Sequence, residues 1–471
     1  MTFPWDADDK PKEECGVFGI FAPSLEVARV TFFGLFALQH RGQESAGMAA
    51  TDGRKINVRR NLGLVAQAFD EEDILSLPGY AAIGHTRYST AGSTLQCNAG
   101  PMYADTNLGP IAIAHNGNLT NAAILKEELE AQGETFETST DSEVLARMIA
   151  LADGETIPDK IRNAMPKMIG AFSLAVLTTT ELYAVRDAIG VRPLCIGKLA
   201  EGYVIASESA ALMTIGAELV REVEPGEIVR VHEHGHESLG IITEKSPGLC
   251  MLELVYFARP DSELMGQRLH MMRQNMGRQL WREAPVDADV VVGLPDSATP
   301  AAIGYAAESG IPYGEALIKN RYIGRTFIQP NQQMRAQSVR LKFNVLPEVV
   351  KDKKVVLIDD TIVRGTTSRP IVDLIRQAGA KEVHMRVHAP PIMWPCYLGV
   401  DLAKRDELIA AKLTIPQIAE HIGVDSLQYL TLDGLMESIG KGNNRFCHAC
   451  MTGQYPVQTF SNLDKLALET T

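Results

Sequence analysis

Two different patterns of apolar and polar positions divide the chain near residue 245. Residues 15–245 contain short alternating or β-branched runs, such as CGVFGIFA and FSLAVLTT, which glycine-containing turns separate. Two longer stretches, 25–42 and 122–133, have the apolar spacing of amphipathic helices. The first half is therefore predicted to form antiparallel sheets with helices packed on them.

After residue 246, continuous apolar strands alternate with helical stretches. The strand ADVVVGLP (288–295) precedes a helical stretch at 298–310, and KKVVLIDD (353–360) precedes another at 369–379. Strands of this kind are typical of a parallel, doubly wound sheet covered by helices. The pattern therefore divides the chain into a leader, two domains and a tail containing CHACMTG. These parts are 1–14, 15–245, 246–430 and 431–471.

The composition is that of a globular protein, with 45% hydrophobic and 22% charged residues among 471. The formal net charge of −13 argues against a general nucleic-acid binder or a protein of anionic membranes. No apolar run reaches the roughly 18 residues that a membrane span requires. The leader lacks the features of a secretory signal, and seven cysteines do not suggest a disulfide framework. We therefore expect a cytoplasmic protein.

The stretch VVLIDDTIVRGTTS (355–368) predicts a phosphate-binding loop at the end of a buried strand. Ligands of parallel sheets bind beyond the carboxyl ends of the strands. Gly365 permits close backbone approach, and the hydroxyls that follow it lie beside the first N–H groups of a helix. Asp359 and Asp360 would repel a bare phosphate, so ribose hydroxyls or a divalent metal are their expected ligands. The alternative is an ordinary strand–loop–helix connection.

This stretch resembles the signature of the phosphoribosyltransferases, which bind phosphoribosyl pyrophosphate (PRPP). The resemblance implies that Asp359 and Asp360 contact the ribose hydroxyls and Mg²⁺, and that residues 361–368 hold the 5′-phosphate. It also implies that the turn GLPDSATP (293–300) faces the pyrophosphate, with Ser297 at a Mg²⁺-contacting position. The further PRPP-binding residues that it implies are Thr361, Arg364, Gly365, Thr366, Thr367, Ser368, Lys319 and Arg325.

The stretch 319–342 contains six lysines and arginines and no acidic residue. A basic run of this kind is commonly a solvated face and less often an RNA contact. Because this one accompanies a phosphate loop, we interpret it as a lid. Such a lid neutralises pyrophosphate and excludes water when it closes.

Five polar motifs in the first half together resemble the class II glutamine amidotransferase domain, an N-terminal-nucleophile hydrolase. The resemblance implies an αββα sandwich in which Cys15 attacks the side-chain amide of glutamine. It assigns the oxyanion hole to Asn116 and the N–H of Gly117, and it assigns binding of the substrate's α-carboxylate and α-ammonium to Arg87 and Asp141. The alternative for Cys15 is a buried core thiol. The motifs are CGVFGI (15–20), QHRGQESAG (39–47), GHTRYSTAG (84–92), AHNGNL (114–119) and STDSEV (139–144).

A cysteine nucleophile requires a base, because a free thiol with a pKa near 8.5 is mostly protonated at neutral pH. The sequence does not place His40, His85 or His115 against Cys15. An α-amino group, with a reference pKa of about 7.7–8.0, would serve if Cys15 were the first residue. We therefore expect residues 1–14 to be a propeptide that is cleaved after Glu14, with the thiol itself as the catalyst.

Cys447 and Cys450 form a C-x-x-C pair whose thiolates can bind one metal site. The sequences around these two cysteines, and those around Cys250 and Cys396, resemble the cluster-bearing branch of the glutamine PRPP amidotransferases. That resemblance implies a structural [4Fe–4S] cluster on the four cysteines, which ties the tail to the second domain. The alternative is scattered thiols with a zinc pair. Cys97 and Cys195 are expected to be packing residues.

The resemblance to the glutamine PRPP amidotransferases extends over nearly the whole chain. It implies that ammonia released from glutamine displaces pyrophosphate from PRPP, which yields 5-phosphoribosylamine in the first committed step of purine synthesis. It also implies a homotetramer, inhibition by purine nucleotides and an internal ammonia passage. One alternative is another class II amidotransferase, such as a glucosamine-6-phosphate synthase with a sugar-isomerase second half. The other is a non-catalytic regulator, which predicts the loss of at least one of the site residues.

Overall fold

The computed structural model describes the chain from Cys15 onwards, with several gaps. The predicted leader, Arg325 and the rest of the stretch 321–340 lie outside the described residues. Within the described ranges, no helix is long and apolar enough to cross a membrane. These ranges are 15–88, 92–242, 248–320, 341–402, 404–440, 445–460 and 468–469.

The first half contains two antiparallel sheets. Their strands are β1 (Gly16–Phe21), β2 (Ser45–Thr51), β3 (Ile56–Leu62), β4 (Ala81–Arg87), β5 (Met102–Thr106), β6 (Gly109–Leu119), β7 (Gly170–Leu177), β8 (Leu182–Arg186), β9 (Cys195–Leu199), β10 (Gly202–Ala206), β11 (Glu218–Glu222), β12 (Glu227–His232) and β13 (Gly235–Ile241). One sheet has the order β11-β9-β10-β1-β4-β2-β3, and the other has the order β13-β12-β8-β7-β6-β5. Small and β-branched side chains such as Val17, Ile83 and Ala114 fill the space between them.

Helices cover the outer faces of both sheets. They are α1 (Val27–Ala37), α2 (Val65–Ala68), α3 (Glu71–Leu75), α4 (Ala122–Ala131), α5 (Asp141–Leu151), α6 (Ile157–Ala164) and α7 (Ser209–Thr214), with 3₁₀ turns at Gln96–Asn98 and Met165–Lys167. Phe18 and Ile20 point from β1 to the α1 side while Val17 points to the other sheet, which explains why nearly the whole strand is buried. Residues 15–242 thus form the predicted αββα sandwich.

The second half is built on a parallel sheet of four strands. Its order is β17 (Val290–Gly293), β20 (Lys354–Asp359), β21 (Glu382–Val387) and β22 (Ser426–Tyr429), so that the strands follow one another across the sheet. The short ladders are β14 (Leu249–Cys250) with β23 (Phe446–Cys447), β15 (Glu263–Leu264) with β16 (Gln267–Arg268), and β18 (Leu317–Lys319) with β19 (Phe343–Val345).

The helices of the second half pack on this sheet and on one another. They are α8 (Leu269–Glu283), α9 (Thr299–Ser309), α10 (Pro347–Val350), α11 (Ser368–Gln377), α12 (Ile415–Ile422), α13 (Leu432–Ile439) and α14 (Ala449–Thr452). A π-helical turn at Glu253–Phe257 and 3₁₀ turns at Arg405–Glu407 and Ile409–Ala411 complete the elements. The apolar strands at 290–293 and 355–358 are buried throughout, as a sheet covered on both faces requires.

Most of the described part of the predicted tail packs on the second half, whereas Leu468 belongs to a core of the first half. Leu435, Phe446 and Met451 belong to the same core as the central strands, and α13 packs on α8. The ladder between β14 and β23 joins the beginning of the second half to the tail. The separate tail in the sequence-based division is therefore part of the second domain's packing.

Candidate active sites

Cys15 immediately precedes β1, at the end of that strand where the neighbouring β4 finishes. In the antiparallel register Gly16 lies opposite Thr86, which brings Cys15 next to Arg87 and Tyr88. The thiol donates a hydrogen bond to the Tyr88 carbonyl oxygen at 3.5 Å. Burial raises the pKa of this thiol to about 12. With residues 1–14 attached, Cys15 is therefore a protonated thiol at neutral pH.

A small cavity brings together residues from four of the five motifs. Cys15, Arg87, Gly117 and Asp141 all line it, although they are distant in sequence. The other lining residues are His85, Tyr88, Asn98, Met102, His115, Thr140 and Ser142. The space open to water is only about 10 Å³, which is room for about one water molecule. In this structure the cavity is therefore smaller than an amino acid.

The two residues assigned to the oxyanion hole lie on β6, beside β7. Gly117 has φ +150°, and a β-carbon there would lie 1.9 Å from the Ala171 carbonyl oxygen, so only glycine fits. The Asn116 side chain is 1% exposed, and its amide nitrogen has no hydrogen-bond partner among the described residues. A buried donor without an acceptor is suited to a charge that develops during a reaction.

Opposite charges flank the cavity. The Arg87 guanidinium donates to the carbonyls of Ser93 and Gly92 at 3.3 and 3.4 Å, and it lies 3.7 Å from Glu44. Asp141 begins α5, and its Oδ2 accepts a hydrogen bond from the Leu119 N–H at 3.0 Å. A cation and an anion on one cavity match the two charges of an α-amino acid.

The histidines near the cavity are poor candidates for the base. Burial, together with a smaller effect of the nearby His115, lowers the pKa of His85 to about 3. Burial also lowers the pKa of His115, whose Nδ1 is 2.9 Å from the Ser142 hydroxyl. His40 is 2.6 Å from Glu208 instead. None of the three makes a hydrogen bond with Cys15 in the described part of the chain.

The predicted PRPP site lies where β17 and β20 end. Asp359 and Asp360 are 3% and 0% exposed, and the Ser297 hydroxyl donates to the Asp360 carboxylate. The Asp360 N–H donates to Asp359 Oδ1 at 2.8 Å, and the Thr361 hydroxyl donates to Asp360 Oδ1 at 3.0 Å. The turn after β17 and the two carboxylates thus converge, as the sequence predicts. Buried carboxylates with an adjacent hydroxyl form a hard oxygen donor set that suits Mg²⁺.

The predicted phosphate loop connects Asp360 to α11, which begins at Ser368. Gly365 has φ +74°, the left-handed conformation that glycine adopts without strain. Arg364 is bound to Glu407, with its Nε and Nη2 at 3.1 and 2.9 Å. The contact of Arg364, Thr366 and Thr367 with a phosphate stays a prediction.

Both ends of the basic stretch lie beside this site. Lys319 Nζ is 2.6 Å from Asp296 Oδ2, in the turn that carries Ser297. The two ends are brought together by the pairing of β18 with β19. A hydrogen bond from the Asn320 N–H to the Lys342 carbonyl (2.7 Å) also joins them. The two described ends of the stretch therefore lie together, next to the predicted pyrophosphate turn.

The four cysteines assigned to the cluster come together from three segments. Cys250 is directly opposite Cys447 in the ladder of β14 with β23. The Cys450 carbonyl accepts hydrogen bonds from the N–H groups of Met393 and Trp394, three and two residues before Cys396. Burial raises the pKa of Cys450, and the adjacent Cys396 and Cys447 thiols raise it further.

All seven cysteines lie in the described residues and are free of disulfides. Nowhere in the described ranges are three His, Cys, Asp or Glu side chains arranged to hold one metal ion. In a [4Fe–4S] cluster each cysteine binds a different iron, and Mg²⁺ at a phosphate site takes only one or two carboxylates. Both proposed groups therefore fit the residues present.

The second half also contacts the first at the glutamine cavity. The Asn118 side-chain amide donates to the Tyr397 carbonyl at 3.0 Å, and Gly399 packs against Gly117. The Tyr88 hydroxyl is 3.4 Å from the Asp401 carboxylate. Sequence reasoning missed these contacts, and it also missed Asn98 on the cavity wall. The only signal for the segment after Cys396 was its proximity to that cysteine.

Comparison with known families finds a different domain in each half of the chain. Residues 85–214 match the glutamine amidotransferase domain, and residues 275–389 match the phosphoribosyl transferase domain. The alternative of a sugar-isomerase second half is therefore wrong.

Relatives are similar along nearly the whole length. The amidophosphoribosyltransferase of Synechococcus elongatus is 48% identical over 98% of this chain and 95% of its own. That of Bacillus subtilis is 45% identical over 96% and 95%. The solved structure of an allosteric regulatory enzyme of purine biosynthesis matches with a TM-score of 0.91 at 44% identity, over 97% and 99% of the two chains. The glutamine PRPP amidotransferase of B. subtilis, in complex with ADP and GMP, matches with a TM-score of 0.89 at 44% identity, over 95% and 98%.

Proposed function

The chain belongs to the amidophosphoribosyltransferases, and on that premise we propose how its residues divide the reaction between the two halves. The reaction transfers the amide nitrogen of glutamine to PRPP in purine biosynthesis, with 5-phosphoribosylamine, glutamate and pyrophosphate as products. The observation that carries the assignment of residues is the convergence of Cys15, Arg87, Gly117 and Asp141 on one cavity.

In the first half, Cys15 is the nucleophile of a processed chain. Once residues 1–14 are removed, its own α-amine accepts the thiol proton, and the thiolate attacks the amide carbon of glutamine. The Asn116 amide and the Gly117 N–H stabilise the resulting oxyanion, a contribution of roughly 3–4 kcal/mol per well-placed donor. Ammonia leaves as a thioester forms, and water then releases glutamate. Arg87 and Asp141 hold the α-carboxylate and α-ammonium throughout.

In the second half, ammonia attacks C1 of PRPP and pyrophosphate leaves. Asp359 and Asp360 bind the ribose hydroxyls, and residues 361–368 hold the 5′-phosphate. Ser297 with the two carboxylates would hold Mg²⁺, which supplies positive charge to the leaving pyrophosphate. Lys319 and Arg325 would contribute the same charge from the basic stretch. The buried position of the carboxylates and the adjoining ends of that stretch support this assignment.

Cys250, Cys396, Cys447 and Cys450 would hold a [4Fe–4S] cluster with a structural role. The convergence of three cysteine-bearing segments, one of them from the tail, supports this proposal. We further propose inhibition by purine nucleotides, a homotetramer and a cytoplasmic location. The first of these is supported by the ADP and GMP complex of the B. subtilis relative. Light scattering in the presence and absence of GMP and ADP tests the assembly, and rate measurements test the inhibition.

The central experiment measures product formation from PRPP and Mg²⁺ with either glutamine or ammonia as the nitrogen donor. Cys15→Ala should abolish the glutamine-dependent reaction and retain the ammonia-dependent one, because only the first half requires the thiol. A Cys15→Ala enzyme that still uses glutamine would refute the role of Cys15. A wild-type enzyme that makes no product from ammonia and PRPP would refute the proposed function.

Processing is tested by the intact mass of the active enzyme. We expect a chain that begins at Cys15. A species that retains residues 1–14 and hydrolyses glutamine would contradict the propeptide.

A further inference from the structure

Four charged side chains form a buried cluster between the two halves. Arg41, Arg192 and Glu208 come from the first half, Glu253 comes from the second, and each is at most 1% exposed. The Arg41 guanidinium donates to both oxygens of Glu253, at 3.2 and 2.5 Å, and to Glu208 at 2.5 Å. Arg192 Nη1 is 3.7 Å from Glu253 Oε1. Glu253 therefore connects two arginines that have no direct contact with PRPP or glutamine in the proposed reaction.

Arg192 connects Glu253 to β6, the strand of the proposed oxyanion hole, which is called the oxyanion strand below. Its Nε donates to the Leu398 carbonyl at 2.9 Å, and its Nη2 donates to the same oxygen. The next residue, Gly399, packs so closely on Gly117 that a β-carbon on Gly399 would lie 3.0 Å from the Gly117 carbonyl carbon. The preceding residue, Tyr397, accepts the hydrogen bond from Asn118. The position of Gly117 thus depends on where Arg192 holds Leu398.

Arg41 connects Glu253 to the opposite wall of the cavity. The next residue, Gly42, packs on β4, where a β-carbon would lie 2.6–2.7 Å from backbone atoms of Thr86 and Arg87. The Cβ of Arg41 also lies 3.5 Å from the position that a β-carbon on Gly16 would occupy. Arg41 is therefore adjacent to the residue after the nucleophile, and its chain neighbour Gly42 packs on the backbone of Arg87.

We infer that Glu253 is a positioning residue for glutamine hydrolysis, although it belongs to the phosphoribosyltransferase half. Through Arg192 it fixes the oxyanion strand, and through Arg41 it fixes the backbone at Arg87. This inference rests on the proposed function, because it uses the assigned roles of Gly117 and Arg87. Removing one carboxylate from the cluster leaves two buried guanidiniums with less compensating charge, so the contacts that they make must change.

The test compares Glu253→Gln with wild type in the glutamine-dependent and the ammonia-dependent reactions. The substitution keeps the shape of the side chain and removes its charge. We expect kcat with glutamine to fall by about tenfold or more, since a displacement of about 1 Å can reduce a rate about 10²-fold. The KM for glutamine should change less than about threefold, and the ammonia-dependent rate should stay within about twofold of wild type.

The matched control is Glu227→Gln. Glu227 is also buried and also binds an arginine through both oxygens, since Arg221 donates to it at 2.8 and 2.9 Å. It lies on β12, outside the cavity, so both rates should match wild type.

Equal losses of the two rates in Glu253→Gln, or an unchanged rate with glutamine, would overturn the inference. If Glu253→Gln is insoluble, Arg192→Lys replaces it, because lysine keeps the charge but loses the paired contact with the Leu398 carbonyl. A loss of the glutamine-dependent rate alone supports the inference, and an equal loss of both rates overturns it. Wild type that fails with ammonia and PRPP would instead refute the proposed function, so the two failures are distinguishable.

Discussion

Gly399 packs against Gly117 with φ +105°, so that the phosphoribosyltransferase half directly contacts the strand assigned to the oxyanion hole. Gly399→Ala would introduce both a clash with the Gly117 backbone and a strained conformation that costs about 1–3 kcal/mol. We expect a glutamine-dependent rate that falls about tenfold or more and an ammonia-dependent rate within about threefold of wild type.

Gly310 provides the matched control for this substitution. It also has a positive φ (+76°), but a β-carbon there would meet nothing within 4 Å. Gly310→Ala should lower the melting temperature while leaving the ratio of the two rates unchanged. An unchanged ratio in Gly399→Ala would show that the contact does not affect glutamine hydrolysis.

Removal of the leader should activate the thiol. With a pKa of about 12, only about one Cys15 thiol in 10⁴ is ionised at pH 8, so the unprocessed chain is expected to be almost inert. A Glu14→Pro chain that resists cleavage should react with iodoacetamide at Cys15 at a rate that still rises with pH above pH 10. The processed chain should instead reach a plateau near the pKa of its α-amine, about 8. Identical pH profiles for the two chains would contradict the role of the α-amine.

The two carboxylates at the end of β20 should be required for PRPP chemistry but not for basal hydrolysis of glutamine. Asp360→Asn removes a charge that would hold Mg²⁺ and replaces with an amide donor one of the two oxygens that accept from Ser297 and Thr361. We expect ammonia-dependent product formation to fall about 10²-fold or more and to require more Mg²⁺. Glutamine hydrolysis measured without PRPP should stay within about threefold of wild type. The exposed Asp287 provides the control Asp287→Asn. A comparable loss of product formation in that variant would contradict a specific role of Asp360.

The cysteine cluster can be tested by metal content. Anaerobically purified protein should be brown and contain about four iron and four sulfide per chain. Cys450→Ser should lose both, together with thermal stability, because the cluster would join the tail to the second core. Cys195 is comparably buried, but it lies on β9 and not on any of the three segments that carry the cluster cysteines. Cys195→Ser should therefore retain full iron content. Zinc in place of iron in the wild-type protein would contradict the cluster.

The sequence predicted the parts of the fold that depend on local pattern. The alternating runs and apolar strands indicated the two sheet types, and the ordered motifs predicted that Cys15, Arg87, Gly117 and Asp141 act together. Each of these residues lies at the end of a strand, within a strand or at the start of a helix whose pattern is visible locally.

Contacts between distant segments could not be predicted in this way. Nothing in the sequence pairs Arg192 with the Leu398 carbonyl, because both are ordinary in their local contexts. Glu253 was visible as a single charge in the apolar stretch LCMLELVYF, but its partners depend on how the halves pack. The tail was assigned to a separate part, whereas its helix α13 packs on α8 and its apolar residues join the second core.

The packing of Gly399 on Gly117 bears on how such an enzyme can be divided or recombined. A fragment that ends at residue 242 keeps every residue that is assigned to contact glutamine, yet it lacks Glu253 and the surface that packs on β6. Exchanging the second half for that of another phosphoribosyltransferase would have the same effect unless the segment 397–401 were transplanted with it. The two halves are therefore not independent modules joined by a linker. Any chimera should keep the segment 397–401 together with β6.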